Sequence, residues 1–264
     1  MKALILDNNS VLDPSEEQLL ALLRDETKMP KYGCAECQAM HGQCWECTKR
    51  QKLHELYAEA GITQLYFDKT INSDWNLKQD VNSRDLSLND LRRKKFVGAL
   101  MLKYINALPA LMAGKKFQIK NDNGIIKESF NSVLLVGGSN SGKTLLSAIA
   151  IQSAIAKGKN CKMFEWSEIC SAFQSFDARQ QIEEIAEEMK LMDLVVIDGV
   201  TNYNINTPFF LMNLDRVSRA RLNSNNPTII TCDPDYVNIQ AKQGWNTLLN
   251  SCKKLELPTP SLIS

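Results

Sequence analysis

Residues 133–144 read V-L-L-V-G-G-S-N-S-G-K-T, an apolar β-type run that turns through glycines into a lysine and a threonine, and they satisfy the pattern G-x-x-x-x-G-K-[ST] in full. Such a pattern handles phosphate. Gly137 and Gly142 permit backbone angles and close approaches that a Cβ would forbid, so the amides of Gly137, Gly138, Ser139, Asn140, Ser141 and Gly142 can turn inward around an anion. Lys143 can reach the β and γ phosphates of a nucleoside triphosphate and the Thr144 hydroxyl can ligate Mg²⁺, while a helix starting here adds the positive end of its dipole. The competing reading is a plain glycine turn between a strand and a helix. Context favours phosphate: after Thr144 the run L-L-S-A-I-A-I-Q-S-A-I-A-K is apolar nearly all round and stops at Gly158, as a helix packed on a sheet does.

A carboxylate completes the chemistry. M-D-L-V-V-I-D-G places Asp198 at the end of an apolar strand, where it can hold the Mg²⁺ water shell opposite Thr144, in the manner of a Walker B strand. An Asp at a strand end is commonly a turn residue, but its position after a phosphate loop points to the metal. Asp193 opens the same strand and needs no role beyond capping.

Four of the eight cysteines, Cys34, Cys37, Cys44 and Cys47, form two C-x-x-C pairs. Each pair can grip one metal from a tight turn, and four thiolates complete a closed tetrahedral Zn²⁺ site. A site with no open position is structural, the metal substituting for a core too small to hold the segment together. Two disulfides, disfavoured in a reducing cytosol, or a duplicated redox pair are the alternatives. His41 lies inside the loop and can be read as a replacement ligand or as a surface residue. Cys161, Cys170, Cys232 and Cys252 sit among apolar neighbours and are expected as buried filler.

The elements that must position these groups follow from periodicity. Apolar runs at 161–164, 194–197 and 228–231 alternate with helical patterns, which predicts a parallel sheet with crossover helices, an α/β fold. A last run at 253–257 is expected as an edge strand. Toward the N-terminus, D-P-S-E-E-Q-L-L-A-L-L-R-D-E carries a helix start with Asp13 as N-cap, and T-K-R-Q-K-L-H-E-L-Y-A-E-A-G predicts a second helix ending at Gly61. The polar stretch 72–85 reads as connection. At 264 residues two domains are expected: a small helical zinc-binding unit over 1–88 and a P-loop NTPase core over 89–264.

Residues 91–127 hold nine Lys or Arg, including Arg92, Arg93, Lys94, Lys95 and Lys103, against the single acid Asp122. Phe96, Leu100, Tyr104 and Leu108 recur at helical spacing, predicting an amphipathic helix whose apolar stripe packs. Its basic side is either a solvated face or a contact for a phosphate backbone. Overall charge, with 31 basic and 30 acidic residues, selects no partner. No run of about 18 apolar residues spans a bilayer. The start M-K-A-L-I-L-D-N-N-S is a poor signal peptide, so a cytoplasmic protein without membrane contact is expected.

Together the cysteine pairs, the phosphate loop, D-L-V-V-I-D and the strand P-T-I-I-T-C-D resemble the DnaC/DnaI-type helicase loaders of the AAA+ class, with their IstB-like core, over about 34–231. The resemblance implies ATP as the nucleotide, since a phosphate loop does not encode a base. It further implies an N-terminal module that docks on a replicative hexameric helicase, self-assembly on that ring, and a core that binds single-stranded DNA and helps place the ring during DNA replication. L-Y-F-D-K-T sits where many members have an aromatic segment joining the two units.

The departures from that pattern concern hydrolysis. Members usually follow the metal-binding Asp with an acid that polarises the attacking water, and here that place is Gly199. Their sensor strand usually ends T-S-N; this one ends Thr231, Cys232, Asp233, so Asp233 either points away from the γ-phosphate or takes the missing acid's catalytic part beside Lys143 and Asp198. An arginine finger is expected after that strand, yet no arginine follows Arg221; Asn250 or Ser251 falls near its place, with Lys253 and Lys254 close by. A finger is worth about 10³ to 10⁵ in rate, so ATP binding with weak or absent turnover is expected. Arg216, Arg219 and Arg221 precede the sensor strand, and the resemblance implies a contact from Arg221 to a neighbouring nucleotide or to DNA, the alternative being an exposed basic helix end. A transposition helper related to IstB, acting on duplex DNA, shares the core, but its usual members lack the cysteine pairs.

Overall fold

The computed structural model describes residues 45–71, 75, 88–120, 126–175, 178–201, 208–234 and 243–258. Cys34, Cys37, Cys44, His41 and the helix expected from Asp13 lie outside the described residues, as does the side chain of Cys47. In chain order come α1 (Trp45–Glu59), α2 (Leu88–Met112), the antiparallel hairpin β1 (Phe117–Lys120) and β2 (Ile126–Phe130), then β3 (Ser132–Val136), α3 (Lys143–Ile155), β4 (Cys161–Glu165), α4 (Trp166–Gln174), α5 (Ala178–Leu191), β5 (Leu194–Val200), α6 (Pro208–Ser224), β6 (Thr228–Cys232), α7 (Gln243–Ser251) and β7 (Cys252–Glu256).

Strands β3 to β7 form one all-parallel sheet in the order β4-β5-β6-β3-β7. Continuous apolar runs such as V-L-L-V and L-V-V-I suit strands covered on both faces. Because side chains alternate along a strand, Val133, Leu135, Leu194, Val196 and Ile229 enter the core shared with α2 and α3, whereas Leu134, Val136, Val195, Ile197 and Ile230 enter the one beneath α4 to α7. All four runs read as strands are strands, and β7 lies at the sheet edge, where the run 253–257 is expected.

Helix α2 corrects one expectation. Its buried face is Val97, Leu100, Met101, Tyr104, Ile105, Leu108 and Leu111, while Phe96 is 58% exposed. Phe96 lies one position off the stripe that runs through Val97 and Leu100, so it turns away from the sheet with the basic side. Among the described residues no helix is long and apolar enough to cross a membrane.

The chain before α2 is tied to the core. Tyr57, Ile62, Ile71 and Trp75 share the cluster that holds α2 and α3. Helix α1 closes at Gly61, whose φ is +82° and where a Cβ would lie 2.5 Å from the Met163 carbonyl oxygen. That approach lets the Met163 amide donate to the Ala60 carbonyl at 2.7 Å. Gln152 on α3 fastens the next turn: its Nε2 donates to the Tyr66 carbonyl (2.6 Å) and its Oε1 accepts from the Asp68 amide (2.7 Å). Both bonds are directional, and leaving a buried partner unmade would cost about 1–3 kcal/mol.

Candidate nucleotide site

The phosphate loop leaves the C-terminal end of β3, where the strand order reverses: β6, β5 and β4 lie to one side and β7 to the other. Open α/β sheets present their ligand crevice at such a point. The Gly137 amide donates to the Cys232 carbonyl (3.2 Å), so the start of the loop is pinned to the end of β6. Gly142 occupies the N-cap position of α3 with φ +87°, and a Cβ there would fall 2.3 Å from the ring of Trp75. Trp75, read from the sequence as connection, is buried against the loop and donates from Nε1 to the Lys94 carbonyl (3.3 Å).

Two features of the loop suit an anion. Its final residues open helix α3, whose first amides have no partner within the helix. The Ser141 hydroxyl is also buried with no hydrogen-bond partner among the described residues. Lys143, nearly buried, donates to the carbonyls of Gly137 (2.6 Å) and Gly138 (2.8 Å) and pairs with Asp233 at 3.3 Å. The carboxylate of Asp233 therefore contacts the ammonium that a β or γ phosphate would occupy. Ser139 and Asn140 form the exposed tip of the loop, Asn140 with φ +59°.

Asp198 faces the loop from β5. Thr144 donates to its Oδ2 (2.9 Å) and Thr231, on β6, to its Oδ1 (2.6 Å). The Gly199 amide in turn donates to the Thr231 hydroxyl (2.7 Å), so two strands and the start of α3 fix one carboxylate. This is the oxygen-rich setting a hard cation such as Mg²⁺ requires, from Thr144 and Asp198. Gly199 itself lies in an irregularity of the β5–β6 pairing and has φ +75°, a left-handed backbone in which a glutamate would be strained.

Burial is the main influence on Asp198 and raises its pKa; the bonds from Thr231 and Thr144 and the charge of Lys143 oppose the rise, and the charge of Glu165 adds to it. An acid with a raised pKa in the folded state stabilises the fold while protonated and loses that contribution as pH climbs through the folded value. Cation binding takes the ionised form, so Mg²⁺ must displace a proton on acidification. Mg-dependent nucleotide affinity is therefore expected to fall as pH drops, more steeply in the wild type than in Asp198→Asn. Parallel pH profiles for the two proteins, measured by titration calorimetry, would contradict this.

Several assigned residues lie elsewhere. Arg221 is not an exposed helix end: it is 1% exposed and donates to the carbonyls of Met189 (2.8 Å), Met192 (2.7 Å) and Pro227 and to the Thr228 hydroxyl (2.8 Å). Arg216 pairs with Glu183 (3.1 Å) and Arg219 with Asp215 (2.8 Å). Asn250 and Ser251 line a polar cavity of about 280 Å³ with Asn131 and Ser132, at the end of the sheet opposite the phosphate loop. Lys253 pairs with Glu128 and Lys254 with Glu256. Of the scattered cysteines, Cys161 and Cys232 are buried as expected, whereas Cys170 and Cys252 are only partly so.

No family model matches the sequence, and no curated protein matches it. Solved structures do. The crystal structure of the DnaC helicase loader is 13% identical, with 74% of this chain and 99% of that chain covered at a TM-score of 0.50. A DNA replication initiation factor is 14% identical over 63% of this chain and 46% of its own, TM-score 0.48. The replication initiator DnaA bound to AMPPCP and single-stranded DNA is 13% identical over 72% and 51%, TM-score 0.48. This chain spans about half the length of the latter two. At such identities likeness speaks for the fold alone: a five-stranded parallel sheet with flanking helices, matching the fold of P-loop NTPases of the AAA+ class.

Proposed function

We propose that this chain is an ATP-binding helicase loader of DNA replication, docking on a replicative hexameric helicase and helping deliver it to single-stranded DNA. The observation that carries the reading is the convergence of Lys143, Thr144, Asp198 and Thr231 on one crevice, within a fold like that of the DnaC helicase loader. In this reading the loop from Gly137 to Thr144 holds the triphosphate, Thr144 and Asp198 share Mg²⁺, and residues 1–88 carry the partner contact, braced by Zn²⁺ on Cys34, Cys37, Cys44 and Cys47. Bound Mg²⁺ supplies charge neutralisation to the phosphates.

Turnover is slow in this reading, because Gly199 stands where a water-polarising acid is usual and no arginine follows Arg221 in the sequence. The nucleotide then acts as a switch ligand, shifting a conformational equilibrium by its unequal affinity for two states. Asp233 belongs to that switch through Lys143, since a γ-phosphate and this carboxylate compete for one ammonium.

Full-length, zinc-replete protein is expected to retain a purified replicative hexameric helicase on a column in Mg-ATP, and Cys44→Ser to reduce that retention severalfold. Absence of retention under every nucleotide condition would remove the loader reading. Filament formation on duplex DNA would favour the transposition helper.

A further inference from the structure

The position after Asp198 cannot supply the acid that polarises a water, yet the crevice has a second carboxylate one strand away. Strands β4 and β5 pair in parallel, and the last pair in their register is Glu165 opposite Asp198. Residues paired across neighbouring strands point to the same face of the sheet, with Cβ atoms about 5 Å apart. Glu165 therefore stands beside Asp198 at the C-terminal edge, the edge from which the phosphate loop departs, and its charge is near enough to raise the pKa of Asp198.

The two acids differ in setting. Asp198 is mostly buried and held by two hydroxyls, as a cation ligand should be. Glu165 is exposed, and among the described residues its side chain accepts a single long bond, from the Ser167 hydroxyl at 3.3 Å. Asp233, the alternative acid, pairs with Lys143 in the free protein and has no register partner in Asp198. Backbone geometry also explains the arrangement. Gly199 has a positive φ within a strand irregularity, so an acid there would be strained, whereas Glu165 ends a regular strand at φ −72°, ψ 134°.

We propose that Glu165 is the catalytic residue that activates water in this site, performing from β4 the task that Gly199 cannot perform from β5. The proposal rests on the nucleotide reading above. Water oxygen bonds to the γ-phosphorus as the bond from that phosphorus to the β,γ-bridging oxygen breaks. The proton lost by water passes to Glu165, and the products are ADP and inorganic phosphate. With no arginine after Arg221 in the sequence to stabilise the transition state, the reaction is slow but real.

Two measurements on full-length protein test it: phosphate release from Mg-ATP, and Mg-ATP affinity by displacement of a fluorescent nucleotide. Glu165→Gln is expected to lower phosphate release at least roughly 100-fold, the contribution of a positioned base, while affinity stays within about twofold, so that ATP remains bound as triphosphate. Glu168→Gln, at an exposed position in the first turn of α4, is the control and leaves release unchanged. Unchanged release in Glu165→Gln overturns the proposal, and so does a parallel loss of Mg-ATP affinity, which would make Glu165 a cation ligand. Wild-type protein that binds Mg-ATP without releasing phosphate also overturns it while leaving the switch reading intact. Failure of the wild type to bind Mg-ATP removes both.

Discussion

Replacing Arg221 with methionine is expected to lower stability by roughly 3–5 kcal/mol, the cost of leaving several buried acceptors unpaired. The guanidinium joins the end of α5, the turn into β5 and the start of β6: it serves the carbonyls of Met189, Met192 and Pro227 and the hydroxyl of Thr228. Burial lowers its pKa to about 10, which still leaves it charged at neutral pH. Among the described residues no acid pairs with it, though the charge of Asp193 favours the cation, and carbonyl dipoles arranged around a planar fork supply the direct contacts. Lysine is expected to rescue little, because one ammonium with three donors cannot span acceptors placed for the guanidinium. Thermal unfolding should show the midpoint falling by about 10 °C or more in Arg221→Met and nearly as far in Arg221→Lys. A midpoint within a degree or two of wild type in both variants would show that these bonds do not hold the two strands together.

Lys143→Ala is expected to weaken Mg-nucleotide binding by roughly 100-fold or more, since charge-assisted bonds to two phosphates are worth about 1.5–3 kcal/mol each. The fold should tolerate the change. In the free protein Lys143 serves the carbonyls of Gly137 and Gly138 and the carboxylate of Asp233, all within or beside one loop, so the sheet and helices keep their own bonds. Loss of affinity with an unchanged unfolding midpoint would separate a binding role from a structural one.

Much of this site is local in sequence and therefore legible there. The phosphate loop, the strand before it and the helix after it occupy 23 consecutive residues from Val133 to Ile155, read off β3 and α3, and Asp198 is marked by the four apolar residues that precede it. Expectation failed where the partner lies far along the chain. That Glu165 stands beside Asp198 depends on the register between β4 and β5, 33 residues apart, and no periodicity encodes a register. Trp75 reads as polar linker because its neighbours are polar, yet its indole supports Gly142 from the loop's far side. Arg221 falls at the end of a helix that looks solvated; only the fold reveals that α5 and β6 close over it. Phe96 erred in the opposite sense, since a pattern of i, i+4 spacing admits more apolar residues than one helix face can bury.

Residues 137–144, with Asp198, are expected to bind a Mg-nucleoside triphosphate. Titration calorimetry of well-folded, zinc-replete protein with ATP, in the presence and absence of Mg²⁺, tests it most directly. The account requires saturable uptake near one nucleotide per chain, strongly weakened without Mg²⁺ and lost in Lys143→Ala. Absence of uptake by the wild type, or uptake indifferent to both Mg²⁺ and Lys143, would contradict it.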